Sequence, residues 1–218
     1  MTDVAVLVPM LGRAHRVAPL LQSLTATAPD ARPVFLVSPN DTDVHRAIDA
    51  NRAERIIVPG PHPGDYARKI NTGYRHTTEP LLFLAADDLQ FHPGWCEAAA
   101  AELAPGIGVV GTNDLGSPRV IAGDHATHSL VTRAYVDEFG TIDQRGVVLH
   151  EGYQHEFVDD EFVETAKHRG AWAFAAGSHV EHLHPSWGKA PMDSMYAQQR
   201  RRMAAGRRVY QKRRHLWT

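Results

Sequence analysis

The sequence holds a single cysteine, Cys96, among 218 residues, so no internal disulfide can form and the cystine framework of a small secreted domain is excluded. Long apolar runs are missing too: no stretch reaches the roughly 18 consecutive apolar residues of a membrane-spanning helix. The opening Met-Thr-Asp-Val-Ala-Val-Leu-Val-Pro has no basic segment ahead of its apolar run and no cleavage-like site after it, so it reads as a first strand rather than an export signal. A soluble protein of the reducing cytoplasm is the expectation. Internal repeats and low-complexity linkers are also lacking. Acids are absent from residues 200–218, which carry eight of the 23 Lys and Arg (Arg200, Arg201, Arg202, Arg207, Arg208, Lys212, Arg213, Arg214). The remaining 199 residues set 15 basic against 25 acidic side chains, a formal −10 that the overall −2 conceals. Such a tail suits nucleic acid, an anionic membrane face or a phosphorylated substrate, and a solvated terminal helix fits equally.

With 43% hydrophobic residues, the chain can bury one sizeable core. Short runs rich in Val, Ile and Leu alternate with segments of helical period, the pattern of an α/β domain with a mostly parallel central sheet flanked by helices. Val4 to Val8 is a strand ended by Pro9, followed by a helix whose inner face is Val17, Leu20, Leu21 and Leu24. Val34 to Val37 is a strand that runs into Ser38-Pro-Asn-Asp-Thr-Asp43, where an Asp or Thr can cap a helix from Val44 to Ala53. A short strand at Ile56 to Val58, the Pro/Gly loop 59–65, a helix from Tyr66 to His76 and a strand from Leu81 to Ala85 follow. Past Trp95 come a helix to Leu103, a strand from Ile107 to Val110 and a Gly- and His-rich stretch up to Tyr153. A helix from Asp160 to Arg169, a strand over Trp172 to Phe174 and a last helix from Met192 to Arg214, broken or frayed near Gly206, complete the reading. The expected division is a domain at 1–190, with a first half of about 1–111 and a second of about 112–190, and a basic appendage at 191–218.

The stretch Phe83-Leu-Ala-Ala-Asp-Asp-Leu-Gln-Phe-His-Pro93 drives four core residues directly into two carboxylates. Asp87 and Asp88 could cap the helix that starts near Pro93 or face water. Their place at the carboxyl end of a strand suggests more, because open α/β sheets bind ligands there, and Pro9, Asp41 and the acidic pair would share one crevice. Carboxylate oxygens are the ligands Mg²⁺ and Mn²⁺ prefer, and these ions also grip substrate phosphates.

Several segments, in order over most of the chain, resemble those of the family 2 glycosyltransferases with the GT-A fold. Val8-Pro9 with Arg13 and Leu20-Leu21-Gln22-Ser23-Leu24 resembles the family's opening strand and helix, with Gly12 where the pattern has Asn. Ser38-Pro-Asn-Asp-Thr-Asp43 is similar to its NDxSxD loop, Ala67-Arg-Lys-Ile-Asn-Thr-Gly73 to its AxxxNxG helix, and Ala86-Asp-Asp88 with Pro93-Gly-Trp95 to its DxD segment in an adjacent-carboxylate form. Val158-Asp-Asp-Glu-Phe162, with Gly170 eleven residues after Asp159, is similar to its ED-x-[DE]-L…G helix start, with Val158 in place of Glu and Thr165 in place of Arg. The resemblance implies transfer of a sugar from a nucleoside-diphosphate sugar to an acceptor hydroxyl with inversion, aided by Mn²⁺ or Mg²⁺. It places Pro9, Arg13, Asp41, Asn71 and Asp87 around the donor, Asp41 on the base and Asp87 toward the ribose, while Arg68 on the same helix as Asn71 is a donor-side cation or a solvated charge. Asp88 falls on the metal. Asp159 falls on the catalytic base, with Asp160 as the alternative and Glu161 as the motif's second acid on the acceptor side. A base has a physical task here, since an acceptor hydroxyl attacks better as its proton is removed.

Fourteen histidines need an account. The resemblance implies an imidazole on a late strand or loop beside the diphosphate, and His184, then His182, is the candidate. Alternation in Val180-Glu-His-Leu-His184 puts both on one face of a strand. Zinc is disfavoured, because one Cys and no HExxH motif give no recognised zinc spacing. His125 and His128 read as loop residues that could touch the acceptor, Arg68 and Lys69 as cations that could meet a diphosphate, and Trp187 as a stacking platform. Trp95 and Trp172 fit the core as well. Segments 112–128 and 185–192 are expected to order on binding. A nucleotidyltransferase is the weaker alternative, since Pro9-Met-Leu-Gly-Arg-Ala-His-Arg16 offers one Gly for a phosphate loop. A non-catalytic binding protein on a degenerate version of the fold, using the basic tail, is the other.

Overall fold

The computed structural model describes residues 3–62, 65–197 and 199–218, without the side chains at 199–201. Pro63 and Gly64 of the Pro/Gly loop, and the side chains of Arg200 and Arg201 in the basic tail, therefore lie outside the described residues. The chain opens with strand β1 (Val4–Pro9), whose first five residues are buried, as a strand covered on both faces must be. Its side chains alternate: Val4, Val6 and Val8 enter one apolar cluster with Phe35, Leu20 and Trp95, while Ala5 and Leu7 enter another with Leu36, Ile70 and Phe162. Helix α1 (Val17–Thr27) buries Val17, Leu20 and Leu24 against the first cluster. Strand β2 (Arg32–Val37), helix α2 (Thr42–Ala50) and strand β3 (Glu54–Ile57) follow. Helix α3 (Tyr66–His76) lies on the opposite face. Gly73 permits its close approach, because a Cβ there would stand 2.9 Å from Leu7 Cδ2 and 3.1 Å from Leu36 Cδ1.

Strand β4 (Leu81–Leu84) completes a parallel set in the order β3-β2-β1-β4. The other half is mixed. Strands β5 (Leu89–Phe91), β6 (Val109–Asn113), β7 (Ser129–Thr132) and β8 (Trp172–His182) extend the sheet to β3-β2-β1-β4-β7-β6-β8-β5 among the described residues. Strand β7 runs antiparallel between β4 and β6, and β8 pairs parallel with β6 and antiparallel with β5. Four-residue β7 and three-residue β5 are too short to show a period, and neither is expected from the sequence. Strand β8 is much longer than Trp172–Phe174, because a register shift opposite Thr112 and Asn113 lets it leave β6 and continue beside β5.

The remaining helices are α4 (Trp95–Ala101), α5 (Pro118–Ile121), α6 (Arg133–Glu138), α7 (Val158–His168), α8 (Ser194–Ala197) and α9 (Gln199–Arg213). Helix α9 differs from the frayed helix expected near Gly206. It runs through Gly206, which is buried against the backbone of Glu156 and allows the helix to dock on the turn before α7. The basic end is thus tied to the domain: Arg213 pairs with Glu161 at 2.8 Å and Asp143 at 2.9 Å, and Trp217 is buried beside Tyr210. No helix of the described residues is long and apolar enough to cross a membrane.

Candidate active site

The carboxyl ends of β1 and β4, the start of α7, the end of β8 and the segment leading into α9 surround a cavity of about 350 Å³. The sequence explains the position of Asp87 and Asp88. Leu82, Phe83 and Leu84 anchor β4 in the core, and β5 begins at once at Leu89, so the two acids occupy the short bend where the chain passes from one strand to the next. Both are buried, with Asp87 7% and Asp88 4% exposed. Such a pair needs compensation. Arg13 supplies it through Nη1, at 2.9 Å from Asp87 Oδ1 and 3.5 Å from Asp88 Oδ2. The other edge of the guanidinium binds Asp193, Nε at 2.9 Å and Nη2 at 3.2 Å, and its face lies 3.9 Å from the Tyr196 ring centroid. The Tyr196 hydroxyl donates to Asp88 Oδ2 at 2.6 Å, and His182 Nε2 stands 3.3 Å from Asp88 Oδ1.

These contacts separate the two acids. Burial, and then the adjacent negative Asp88, push the Asp87 carboxyl above its usual range in spite of Arg13. Burial acts on Asp88 in the same direction but is outweighed by the charge and hydrogen bond of His182 and by the Tyr196 hydroxyl, which hold Asp88 below that range. Burial would lower His182, yet Asp88 raises it. Burial and then the charge of His182 depress His184 to about 4, and its Nδ1 accepts the Ser186 N–H at 3.1 Å, which leaves Nε2 for a ligand. His184 lies beyond the end of β8 rather than on the strand expected to carry it, but it and His182 line the same cavity, with ring centroids 5.1 Å apart.

Across the cavity, α7 begins at Val158 after Phe157, whose φ of 69° is left-handed, an uncommon conformation for a bulky residue. That turn brings Asp159 and Asp160 to the wall. Asp159 Oδ2 lies 3.2 Å from His125 Nε2, and Asp160 Oδ1 accepts from Arg119 Nη1 at 3.0 Å. Burial opposes charge on Asp159, but the His125 hydrogen bond and the first N–H groups of the helix keep its carboxyl below the ordinary value. Burial and the charge of Asp159 raise Asp160. Ligand atoms of His125, Asp159 and Asp160 lie within 4.8 Å of one another, so this group could also hold a cation.

Pro9, Arg13, Asp87, Asp88, Asp159, Asp160, His182, His184 and Trp187 are all brought to the cavity. Asp41, Arg68, Asn71 and Glu161 are not among its lining residues. The Asp41 carboxylate accepts the Gly12 N–H at 2.7 Å and braces the loop after β1. It occupies the N-cap of α2 without a side-chain capping bond. Arg68 turns to Asp65 at 3.1 Å. Asn71 is fully buried, with Oδ1 accepting from the N–H groups of Val148 and Leu149, both at 3.0 Å. Its Nδ2 donates to the Leu149 carbonyl at 2.8 Å and Glu151 at 3.1 Å, so both donors and both acceptor sites of the amide are committed to holding segment 148–151. Glu161 is buried under Tyr153, at 2.8 Å, and Arg213.

Sequence reasoning missed Tyr196, Asp193 and Arg202 in the segment read only as a basic tail, and Arg119, Tyr66 and His155 elsewhere on or behind the wall. Only a Tyr and an Asp ahead of the Arg run could have signalled the first two. Lys69 rather than Arg68 meets the cavity, with Nζ donating to the Met10 carbonyl at 2.6 Å, and burial lowers its ammonium to about 8. Segment 112–128 is internally braced: Asp114 Oδ1 accepts from the N–H groups of Gly116 and Ser117, and Trp187 packs on Gly116.

No protein-family model matches the chain, and no curated protein matches it. Solved structures do. A mannosyltransferase from Pyrobaculum calidifontis, in complex with GDP-mannose and Mn²⁺, aligns over 92% of this chain with a TM-score of 0.64 and 16% identity. This chain covers 60% of that one. Glucosyl-3-phosphoglycerate synthase from Mycobacterium tuberculosis, in complex with Mn²⁺, UDP-glucose and phosphoglyceric acid, aligns over 94% of this chain and 78% of its own, with a TM-score of 0.60 and 16% identity. The catalytic domain of Drosophila β1,4-galactosyltransferase 7, in complex with xylobiose, aligns over 93% and 81%, with a TM-score of 0.56 and 14% identity. The chain therefore has a GT-A glycosyltransferase-like fold.

Proposed function

We propose that the chain is a divalent-metal-dependent glycosyltransferase that moves a sugar from a nucleoside-diphosphate sugar to an acceptor hydroxyl by direct displacement with inversion. The observation that carries this reading is the pairing of Asp88 with His182 in a cavity whose far wall carries Asp159. Neighbouring ligands on an octahedral ion with bonds of about 2.1 Å lie about 3.0 Å apart. Asp88 Oδ1 and His182 Nε2, at 3.3 Å, are close to that span, and His184 lines the same cavity. Asp88 and His182 would hold Mn²⁺ or Mg²⁺, with His184 as a further imidazole whose ring nitrogens are not within 4.8 Å of both. An ion held there would neutralise charge that develops on a departing diphosphate.

The chain's own groups do the rest. Arg13 and Lys69 place positive charge at the donor end of the cavity, where Asp87 is set to hold the ribose. Asp159, kept ionised at neutral pH, takes the proton of the acceptor hydroxyl as its oxygen bonds to the sugar. Trp187, 36% exposed at the rim, offers a face to an acceptor ring. The mannosyltransferase and the glucosyl-3-phosphoglycerate synthase of similar fold were solved with GDP-mannose and UDP-glucose respectively, each with Mn²⁺, so these are the first donors to test. The experiment is a thermal-shift screen of nucleoside diphosphates and these two sugars with and without Mn²⁺, since a ligand selective for the folded state raises its stability by mass action. The expected result is a Mn²⁺-dependent shift in the wild type that Asp88→Asn abolishes. No shift with any nucleotide, or a shift that survives Asp88→Asn unchanged, refutes the reading.

A further inference from the structure

We propose that His125 is a positioning residue for the base, donating from Nε2 to one oxygen of Asp159 and thereby presenting the other to the acceptor hydroxyl. The inference rests on the glycosyl-transfer reading above, and its subject is a residue that the acidic motif itself does not contain.

The loop that carries His125 is rigid for identifiable reasons. It leaves α5 at Gly123, whose φ of 78° suits glycine, and the Asp124 N–H bonds to the Arg119 carbonyl at 2.9 Å. Lys167 Nζ donates to the Asp124 carbonyl at 2.6 Å, and the His128 carbonyl accepts from both the N–H and the hydroxyl of Thr112, each at 3.1 Å. His125 itself is 5% exposed. Its ring is therefore a fixed wall of the cavity.

The two ring nitrogens are not equivalent. Nε2 meets Asp159 at 3.2 Å, whereas Nδ1 is buried with no hydrogen-bond partner among the described residues. A neutral ring with its proton on Nδ1 would set the Nε2 lone pair against a carboxylate and bury an unpaired N–H, two unfavourable contacts at once. In both the Nε2–H tautomer and the imidazolium, Nε2 donates to Asp159. The charged groups acting on the ring are Asp159 and Asp160 from α7 and Arg119 from α5, and Arg119 is itself engaged by Asp160. The two adjacent acids are thus distinguished: Asp160 is held by a cation at the rim, Asp159 by a buried ring on the inner wall.

In the transfer step the acceptor oxygen forms a bond to the anomeric carbon, the bond from that carbon to the diphosphate oxygen breaks with its electron pair leaving on the nucleoside diphosphate, and the hydroxyl proton passes to Asp159. General-base assistance of this kind contributes roughly 10²–10⁴-fold. Loss of the group that aims the carboxylate forfeits part of it, an expected fall in turnover of roughly 10–100-fold.

The test uses the full chain with Mn²⁺ and GDP-mannose or UDP-glucose as donor probes, and compares His125→Leu with His125→Gln, whose amide nitrogen can reach the place of Nε2. Two readouts are followed, donor binding by thermal shift and nucleoside diphosphate release with water as acceptor. The proposal expects donor binding unchanged in both variants, turnover lowered 10–100-fold in His125→Leu, and recovery to within about fivefold of wild type in His125→Gln. Wild-type turnover in His125→Leu, or equal loss in both variants with binding retained, overturns it. A third measurement needs no donor: ¹⁵N-resolved NMR of the histidine rings, with His125 assigned from its absence in His125→Gln. An Nε2-protonated ring whose signal moves in Asp159→Ala supports the proposal, and an Nδ1–H tautomer or indifference to Asp159→Ala overturns it. Failure of both probes to bind wild-type protein would count against the functional reading, while the NMR result would still decide the contact on which His125 depends.

Discussion

Replacing Gly206 with alanine sets two opposed effects against each other, and their sum reports whether the basic C-terminal helix is part of the folded unit. In an exposed helix interior alanine is favoured over glycine by about 1 kcal/mol. Gly206, however, faces the turn that delivers Asp159. A Cβ there would fall well inside contact distance of the Glu156 carbonyl oxygen, 3.0 Å from its carbon and 3.2 Å from Phe157 Cδ2. Neither neighbour yields easily, since one is backbone and the other is attached to a residue already in the left-handed region. Overpacking of this kind costs about 1–3 kcal/mol. Retreat of α9 would also weaken the contact of Arg213 with Glu161 and withdraw Arg202 from the cavity. A contact this short with backbone belongs to the upper half of that range, so after the gain of about 1 kcal/mol the expected net loss is about 1–2 kcal/mol, or about 2–8 °C in melting temperature for a chain of this size. Calorimetry or dye-based melting of the two proteins measures it. A helix frayed at Gly206 predicts the opposite sign, so a variant that melts at or above the wild-type temperature refutes the docked arrangement.

Two further predictions concern buried polar groups. Arg213→Met leaves the Glu161 carboxylate, 4% exposed, with the Tyr153 hydroxyl but no cation, and breaking a buried pair costs about 3–5 kcal/mol, reduced here to about 2–4 because Arg213 is partly open to solvent. A fall of roughly 4–16 °C, partly restored by adding Glu161→Gln, is expected in thermal melting, and a fall under 2 °C would show that the pair is solvated. His128 is 3% exposed, and burial followed by the charge of His182 lowers it to about 3. Because the unfolded chain binds a proton near pH 6.5 and the native chain does not, stability is lost as pH falls below 6.5, at up to about 1.4 kcal/mol per unit. Between pH 6.5 and 5 this amounts to about 2 kcal/mol that His128→Phe should abolish, and identical pH slopes in denaturant melts of the two proteins would exclude it.

The sequence carried most of the parallel half of the fold, because β1, β2 and α3 are long and strongly patterned, and β4, though short, is a wholly apolar run set off by Pro80 and the acidic pair. It did not carry β5 and β7, which are held by neighbours rather than by any period of their own. The same distinction runs through the site. Asp87, Asp88 and Asp159 were legible since each is an acid placed by the end of an element, a local feature of the chain. Tyr196 and Asp193 were not, because their importance arises from contact with Arg13, some 180 residues earlier.

Asn71 and Glu161 show a different limit, in which the motif names the residue and the packing assigns its work. Successive residues of an α-helix turn through about 100°, so Asp159 and Glu161 point about 200° apart around α7. One of them must face away if the other faces the cavity. Asp159 faces it, and the opposite direction meets Tyr153, α9 and Arg213, where an acid is tolerated only because a cation waits for it. The second acid of the motif is on this geometry a fastener for the helix that presents the first. Arg213 in the terminal helix then acts on the site from behind, by holding in place the turn that carries Asp159.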